Sequence, residues 1–89
     1  MLQVSVISPE RVLYEGTAES VVAPAYDGEV GVLKGHAPML TLLGEGELRV
    51  DGPGGQLRFS VNGGFLQVAD DSVRVVTERG GGGEDPDAG

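Results

Sequence analysis

The sequence has no cysteine and no tryptophan, one histidine and only four aromatic residues. Without thiols, a disulfide framework, a thiolate zinc site, an iron–sulfur cluster and a cysteine nucleophile are excluded together. Packing alone must hold the chain. Long apolar runs are missing too: none approaches the ~20 residues of a membrane-spanning helix, and the opening MLQVSVISPERV has no basic flank leading into an apolar stretch. The expectation is a soluble chain with no secretion signal and no direct bilayer insertion. Basic residues are scarce, six Lys/Arg against fourteen Asp/Glu, for a formal charge of −8. That sign disfavours phosphate backbones and anionic lipid surfaces, so no nucleic-acid partner is expected. The four aromatics (Tyr14, Tyr26, Phe59 and Phe65) are too few for a base-stacking platform and are expected to fill the core.

What is present fits one small domain. A chain of 89 residues has room for a single core and buries roughly 60–65% of its unfolded surface, so a deep, enclosed substrate cavity is not expected. Residues 1–79 carry eleven of the acids and all six basic residues; residues 80–89, GGGGEDPDAG, add three acids, no base and five of the sixteen glycines. With no large apolar side chain, ordering those ten residues costs backbone entropy for no burial. The expected organisation is a folded domain over 1–79 and a disordered, acidic, Gly-rich tail over 80–89.

Within 1–79, apolar residues recur at period two. Leu2, Val4 and Val6 alternate with Gln3 and Ser5; Leu48 and Val50 flank Arg49; Leu57, Phe59 and Val61 alternate with Arg58 and Ser60; Leu66/Val68 and Val73/Val75 repeat the pattern. Ser20–Ala23 reads as a short strand closed by Pro24. Turn signals separate these runs at Ser8-Pro9, Asp27-Gly28, Lys34-Gly35, Gly44 to Gly46, Asp51 to Gly55, Asn62-Gly63-Gly64 and Asp70-Asp71. The gaps leave no room for helical crossovers. The fold class that follows is all-β: antiparallel sheets packed as a sandwich or flattened barrel of about 8–10 short strands. His36 to Leu43 lacks alternation and reads either as a turn leading into a buried strand or as a corner where the chain changes sheets.

Chemistry is thin. His36 has no second imidazole with which to share a metal, and beside Gly35 and Pro38 it is better suited to tying a loop together or touching a partner. Asp27 and Glu29, around Gly28, read as a solvated turn, not as a carboxylate pair for calcium or glycoside chemistry. The DGPGG and NGG segments lack the lysine and hydroxyl of a phosphate loop and read as hairpin turns. No constellation activates water or a nucleophile, so the expected class is a non-catalytic interaction module with no cofactor and no metal. The alternatives are a free-standing sandwich binding a small ligand or carbohydrate and a hydrolase built on His36.

Taken in order, Leu13-Tyr14-Glu15-Gly16, Val21-Val22-Ala23-Pro24, Gly28-Glu29-Val30-Gly31-Val32-Leu33, Gly35-His36-Ala37-Pro38, Gly46-Glu47-Leu48-Arg49-Val50, Gly63-Gly64-Phe65-Leu66-Gln67-Val68 and Val73-Arg74-Val75-Val76 form a combination that resembles the epsilon-subunit family of the F-type ATP synthase, called delta in mitochondria. The resemblance covers Met1 to about Glu78. It implies a β-sandwich of about ten strands, and a central-stalk (rotor) subunit, part of a hetero-oligomeric complex, that links the gamma subunit to the polar loops of the membrane c-ring and couples ion flow to ATP synthesis. It implies a c-ring contact through Glu29, flanked by Gly28 and Gly31, and places the family's histidine at His36; the gamma-subunit contact is expected on sandwich edges and loops, at His36, Ala37, Pro38, Met39 and Leu40. An exposed carboxylate on a tight turn suits basic loop residues, and methionine and proline at a partly exposed corner suit an adaptable contact. The implied location is peripheral, on the cytoplasmic face of the bacterial inner membrane. The family's carboxy-terminal helical hairpin, which restrains ATP hydrolysis and in some members binds ATP, has no counterpart in GGGGEDPDAG; a short natural form that keeps coupling and lacks this inhibition is the expectation.

Overall fold

The computed structural model describes residues 1–84. Eight strands follow one another with no helix among the described residues: β1 (Leu2–Ile7), β2 (Val12–Ala18), β3 (Ser20–Ala25), β4 (Gly28–Leu33), β5 (Met39–Leu42), β6 (Glu45–Gly52), β7 (Gly55–Ala69) and β8 (Ser72–Glu84). They form a β-sandwich with the hydrogen-bonded order β2-β1-β8-β7-β6-β3-β4, β5 pairing with β7 off this path. The alternation read in the sequence sets the inward face. Leu2, Val4, Val6, Val21, Ala23, Leu48, Val50, Phe59, Val61, Leu66, Val68, Val73 and Val75 all lie in one buried cluster, and the Tyr14 ring meets Phe59 edge-on with centroids 6.2 Å apart.

Two strands are long, not short: β7 has 15 residues and β8 has 13. Along β7, Leu57, Phe59 and Val61 face inward, and after Gly63-Gly64 the inward set shifts to Leu66 and Val68. This odd-numbered step reverses the pleat, as a bulge does. Its amino-terminal half pairs with β6 and the carboxy-terminal end of β8, its other half with β5 and the start of β8. Counting the two halves of β7 and β8 separately gives the ten strands implied by the resemblance. Asn62-Gly63-Gly64 is therefore not a hairpin turn but the corner inside β7. Gly63 and Gly64 sit at φ 74° and 99°, and a Cβ on Gly64 would collide with the Val76 carbonyl oxygen. Only glycine fits there.

Three more expectations change. The sheets are not wholly antiparallel, because β1 and β8 pair in parallel, from Gln3↔Ser72 to Ile7↔Val76; the first and last strands are neighbours within the strand order, and the whole intervening chain serves as the long connection that parallel neighbours need. Pro24 does not close β3, which runs on to Ala25: β6 leaves β3 after Val22↔Arg49, so no ladder partner misses the proline N–H. The boundary expected at residue 79 is also passed, since Gly80, Gly81 and Gly82 pair with Val61, Ser60 and Phe59. Ladder bonds use main chain only, and Gly80 is needed where a Cβ would stand 2.6 Å from Thr77 Cγ2. The remainder of the expected tail, 85–89, lies outside the described residues.

Candidate functional site

The β3–β4 hairpin turns on Tyr26-Asp27 and re-enters the sheet at Gly28, whose φ of 134° suits glycine. Glu29 is thus not at a loop tip but is the second residue of edge strand β4, opposite Pro24. Its exposed carboxylate lies 3.4 Å from the Arg49 guanidinium on the outer face of β6. Gly31 is exposed two residues further along the same strand.

Between β4 and β5 the chain makes the Lys34-Gly35 turn and then runs through His36, Ala37 and Pro38 without regular structure. The His36 Nδ1–H donates to the Ala37 carbonyl oxygen at 2.7 Å, and its main-chain N–H donates to Leu33 O at 3.1 Å. Of the two readings of His36–Leu43, a turn leading into a buried strand does not describe β5. Its outward residues Leu40 and Leu42 are 70% and 62% exposed, while Leu43-Gly44 is a corner joining β5 to β6, with Leu43 buried.

The structure joins the two segments singled out in the sequence through residues that the sequence did not single out. Tyr26 N–H donates to Leu42 O at 3.0 Å, bringing the hairpin tip beside β5, and Phe65 and Gln67 of β7 pair with Leu42 and Leu40. Tyr26, Leu40, Thr41, Leu42, Phe65 and Gln67 line one shallow groove of about 720 Å³. Tyr26 is 67% exposed, so it does not fill the core: it occupies a turn outside both layers. Its place just before Asp27-Gly28 was the available signal, since an aromatic at a turn tip has no core to enter. Leucines exposed in adjacent outward positions of one strand, with an aromatic on each side, make a contiguous apolar surface of the kind that marks interaction sites. Among the described residues no group of three or more His, Cys, Asp or Glu is arranged to hold a metal ion, and no helix is long and apolar enough to cross a membrane. What this face can do chemically is bind apolar surface.

The family model described as the ATP synthase delta/epsilon chain, beta-sandwich domain, matches residues 1–80. The chain belongs to this family. The ATP synthase epsilon chain of a Synechococcus strain is 42% identical over 86 residues, which cover 97% of this chain and 63% of that protein. The epsilon chain of Leptospira borgpetersenii is 43% identical over 86 residues, covering 97% and 68%. The chain therefore spans roughly two thirds of the length of these two relatives. The epsilon chain of Frankia casuarinae, 41% identical over 78 residues, is covered over 92% of its length, so the delta/epsilon family includes members little longer than the sandwich. The fold recurs in solved structures: a chain of the Euglena gracilis mitochondrial ATP synthase superposes with a TM-score of 0.83 at 24% identity, over 91% of this chain and 52% of that one. A chain of the Tetrahymena thermophila central stalk and c-ring assembly does so at 0.70 and 15%, over 91% and 66%.

Proposed function

We propose that this chain is a non-catalytic rotor subunit of an F-type ATP synthase that grips the gamma subunit with the Tyr26/Leu40/Leu42/Phe65 face and meets the c-ring polar loops with the β3–β4 hairpin. The observation that carries the proposal is this contiguous apolar face in a chain of the delta/epsilon family, lying between the two segments at which partner contacts are expected. A stalk subunit must hold its partner through many turnovers, and an apolar seat of preset shape does so with little beyond side-chain rotamers left to order on binding. His36, Ala37 and Pro38 form the rim of the gamma contact, and Met39 and Leu40 lead onto the seat itself. Gly28, Glu29 and Gly31 form the c-ring contact, where Glu29 exchanges its screened, exposed pairing with Arg49 for basic loop residues at little cost. The subunit so placed is peripheral to the membrane, on the cytoplasmic face in a bacterium, and couples ion flow to ATP synthesis. The described residues hold no helical hairpin, and inhibition of ATP hydrolysis through one forms no part of the proposed activity.

The test is a titration of the chain against catalytic head and central stalk purified without this subunit, with Glu29→Lys alongside. One-to-one binding by both proteins, with the variant alone impaired in restoring ion-coupled synthesis on reassembly with the c-ring, is the expected result. Absence of binding by the unsubstituted chain removes the proposal.

A further inference from the structure

We propose that Asp71 is a positioning residue that fixes the loop of residues 34–38 through a hydrogen bond from a turn distant in sequence, and thereby sets the strength of the partner contact; the inference rests on the function proposed above. Asp70 and Asp71 form the two-residue turn between β7 and β8, where Ala69 pairs with Ser72. Both have positive φ, 50° and 60°, the conformation of a type I′ turn, for which Asn-Gly is the favoured pair. Aspartate tolerates this region better than most residues, yet glycine at 71 makes the same turn with less strain. The carboxylate is what glycine lacks. Its Oδ1 accepts the Gly35 main-chain N–H at 2.7 Å, 36 residues away in sequence, a short, charge-assisted bond.

The other two hydrogen bonds of the loop given by the structure are local, from His36 N–H to Leu33 O and from His36 Nδ1–H to Ala37 O. Lys34, Gly35, Ala37 and Pro38 are exposed, so packing does little to hold the loop, and Gly35 itself sits at φ 83°. The turn that supplies Asp71 is anchored in its own right, because Gln3 N–H donates to Asp71 O at 2.8 Å. A fixed turn thus tethers a loosely packed loop that leads directly into Met39 and Leu40. A backbone conformation kept against local preference, and answered by a long-range tie, is the pattern of strain retained for function. Releasing the tether leaves the loop to be ordered at the moment of binding, which lowers affinity.

Two variants separate this role from the turn itself. Asp71→Gly keeps the turn and removes the acceptor; Asp71→Asn keeps an acceptor and tolerates the same φ. Expected for Asp71→Gly are a melting temperature no lower than that of the unsubstituted chain, Gly35 amide exchange faster by about tenfold or more, and a Kd for the cognate gamma subunit weaker by about 3- to 10-fold. Asp71→Asn should stay within about twofold of the unsubstituted chain in Kd and retain the slow Gly35 exchange. An unchanged Gly35 exchange rate in Asp71→Gly overturns the tether, and an unchanged Kd in that variant overturns its role in binding. If the unsubstituted chain fails to bind gamma at all, the proposed function falls and takes the binding role of Asp71 with it, whereas the exchange comparison still decides the tether.

Discussion

Replacing Leu40 and Leu42 by Ala separates binding by the apolar face from packing of the core. Both side chains are mostly exposed, so truncating them opens no cavity and should move folding stability by no more than ~0.5 kcal/mol. Fully burying a leucine side chain contributes roughly 1.5–3 kcal/mol, and the 70% and 62% still exposed leave about 1–2 kcal/mol per residue for a partner to draw on. Alanine retains part of that contact. Each single substitution should therefore weaken binding to gamma by about 1 kcal/mol and the pair by about 2 kcal/mol, a roughly 30-fold rise in Kd. Calorimetric titration against purified gamma measures the change directly. Leu48→Ala, at a fully buried position of β6, provides the contrast, because its cost should appear as about 2–5 kcal/mol of folding stability. A double variant that binds as tightly as the unsubstituted chain refutes the assignment of the face. So does one that loses as much stability as Leu48→Ala, since the two leucines would then belong to the core.

Other substitutions probe the parts that hold this face in place. Gly64→Ala should destabilise by about 3 kcal/mol or more in urea denaturation, because φ is 99° and the added Cβ collides with the Val76 carbonyl; a variant of normal stability would mean that β7 does not turn its corner there. Thr77→Val should cost about 1–3 kcal/mol, since the buried Thr77 hydroxyl donates to Arg79 O at 2.7 Å and accepts from Asn62 N–H at 3.2 Å; denaturant midpoints with an unchanged slope would isolate this loss. Glu29→Lys should leave stability within about 0.5 kcal/mol, because it breaks only an exposed ion pair, and should leave the gamma Kd unchanged. Ion-coupled synthesis by the reassembled enzyme should fall, and full coupling in that variant would move the c-ring contact off Glu29.

The core and the candidate face differed in how far they could be read from the chain. Leu2/Val4/Val6 and Leu57/Phe59/Val61 alternate strictly, and in a half-buried strand period two has only one way to face inward. Those residues are all buried except Leu57, which packs against the core from its edge. Pro24 and Asn62-Gly63-Gly64 misled because local preference marks where a chain bends or ends and does not say whether a neighbouring strand needs the missing donor or the sharp corner. Pro24 survives inside β3 only because β6 has already parted from it. The glycines at 80–82 offered no side-chain signal at all, since their ladder bonds to Val61, Ser60 and Phe59 are made by the main chain. Leu40 and Leu42 share one outward face at period two, as strand residues do, but both ends of that run are apolar, so the pattern did not say which face was wet. Tyr26 and Phe65 join that face only through pairings set by the tertiary fold, and no spacing within a single strand reveals them.

The corner at Leu43-Gly44 explains how an exposed apolar face can also be a stiff one. Gly44 N–H donates to Pro24 O at 2.8 Å, Tyr26 N–H to Leu42 O at 3.0 Å, Leu43 N–H to Gly64 O at 3.0 Å and Gly63 N–H to Gly44 O at 3.2 Å. These four main-chain bonds stitch the β3 end, the hairpin tip, β5 and the bend of β7 to one another around the buried Leu43 side chain. Side chains facing a partner usually lose rotamer freedom on binding, but here the backbone beneath them is fixed beforehand, so little beyond the leucine and tyrosine rotamers remains to be ordered. The same bonds run from the face into β3, and β3 pairs along its length with β4, which carries Glu29. A load applied at the hairpin therefore reaches the apolar seat through paired main chain and not through flexible loops. In this chain that path depends on Gly63 and Gly64, whose positive φ lets β7 bend, and on Gly44, where an added Cβ would press to 3.1 Å from the Ala25 carbonyl oxygen.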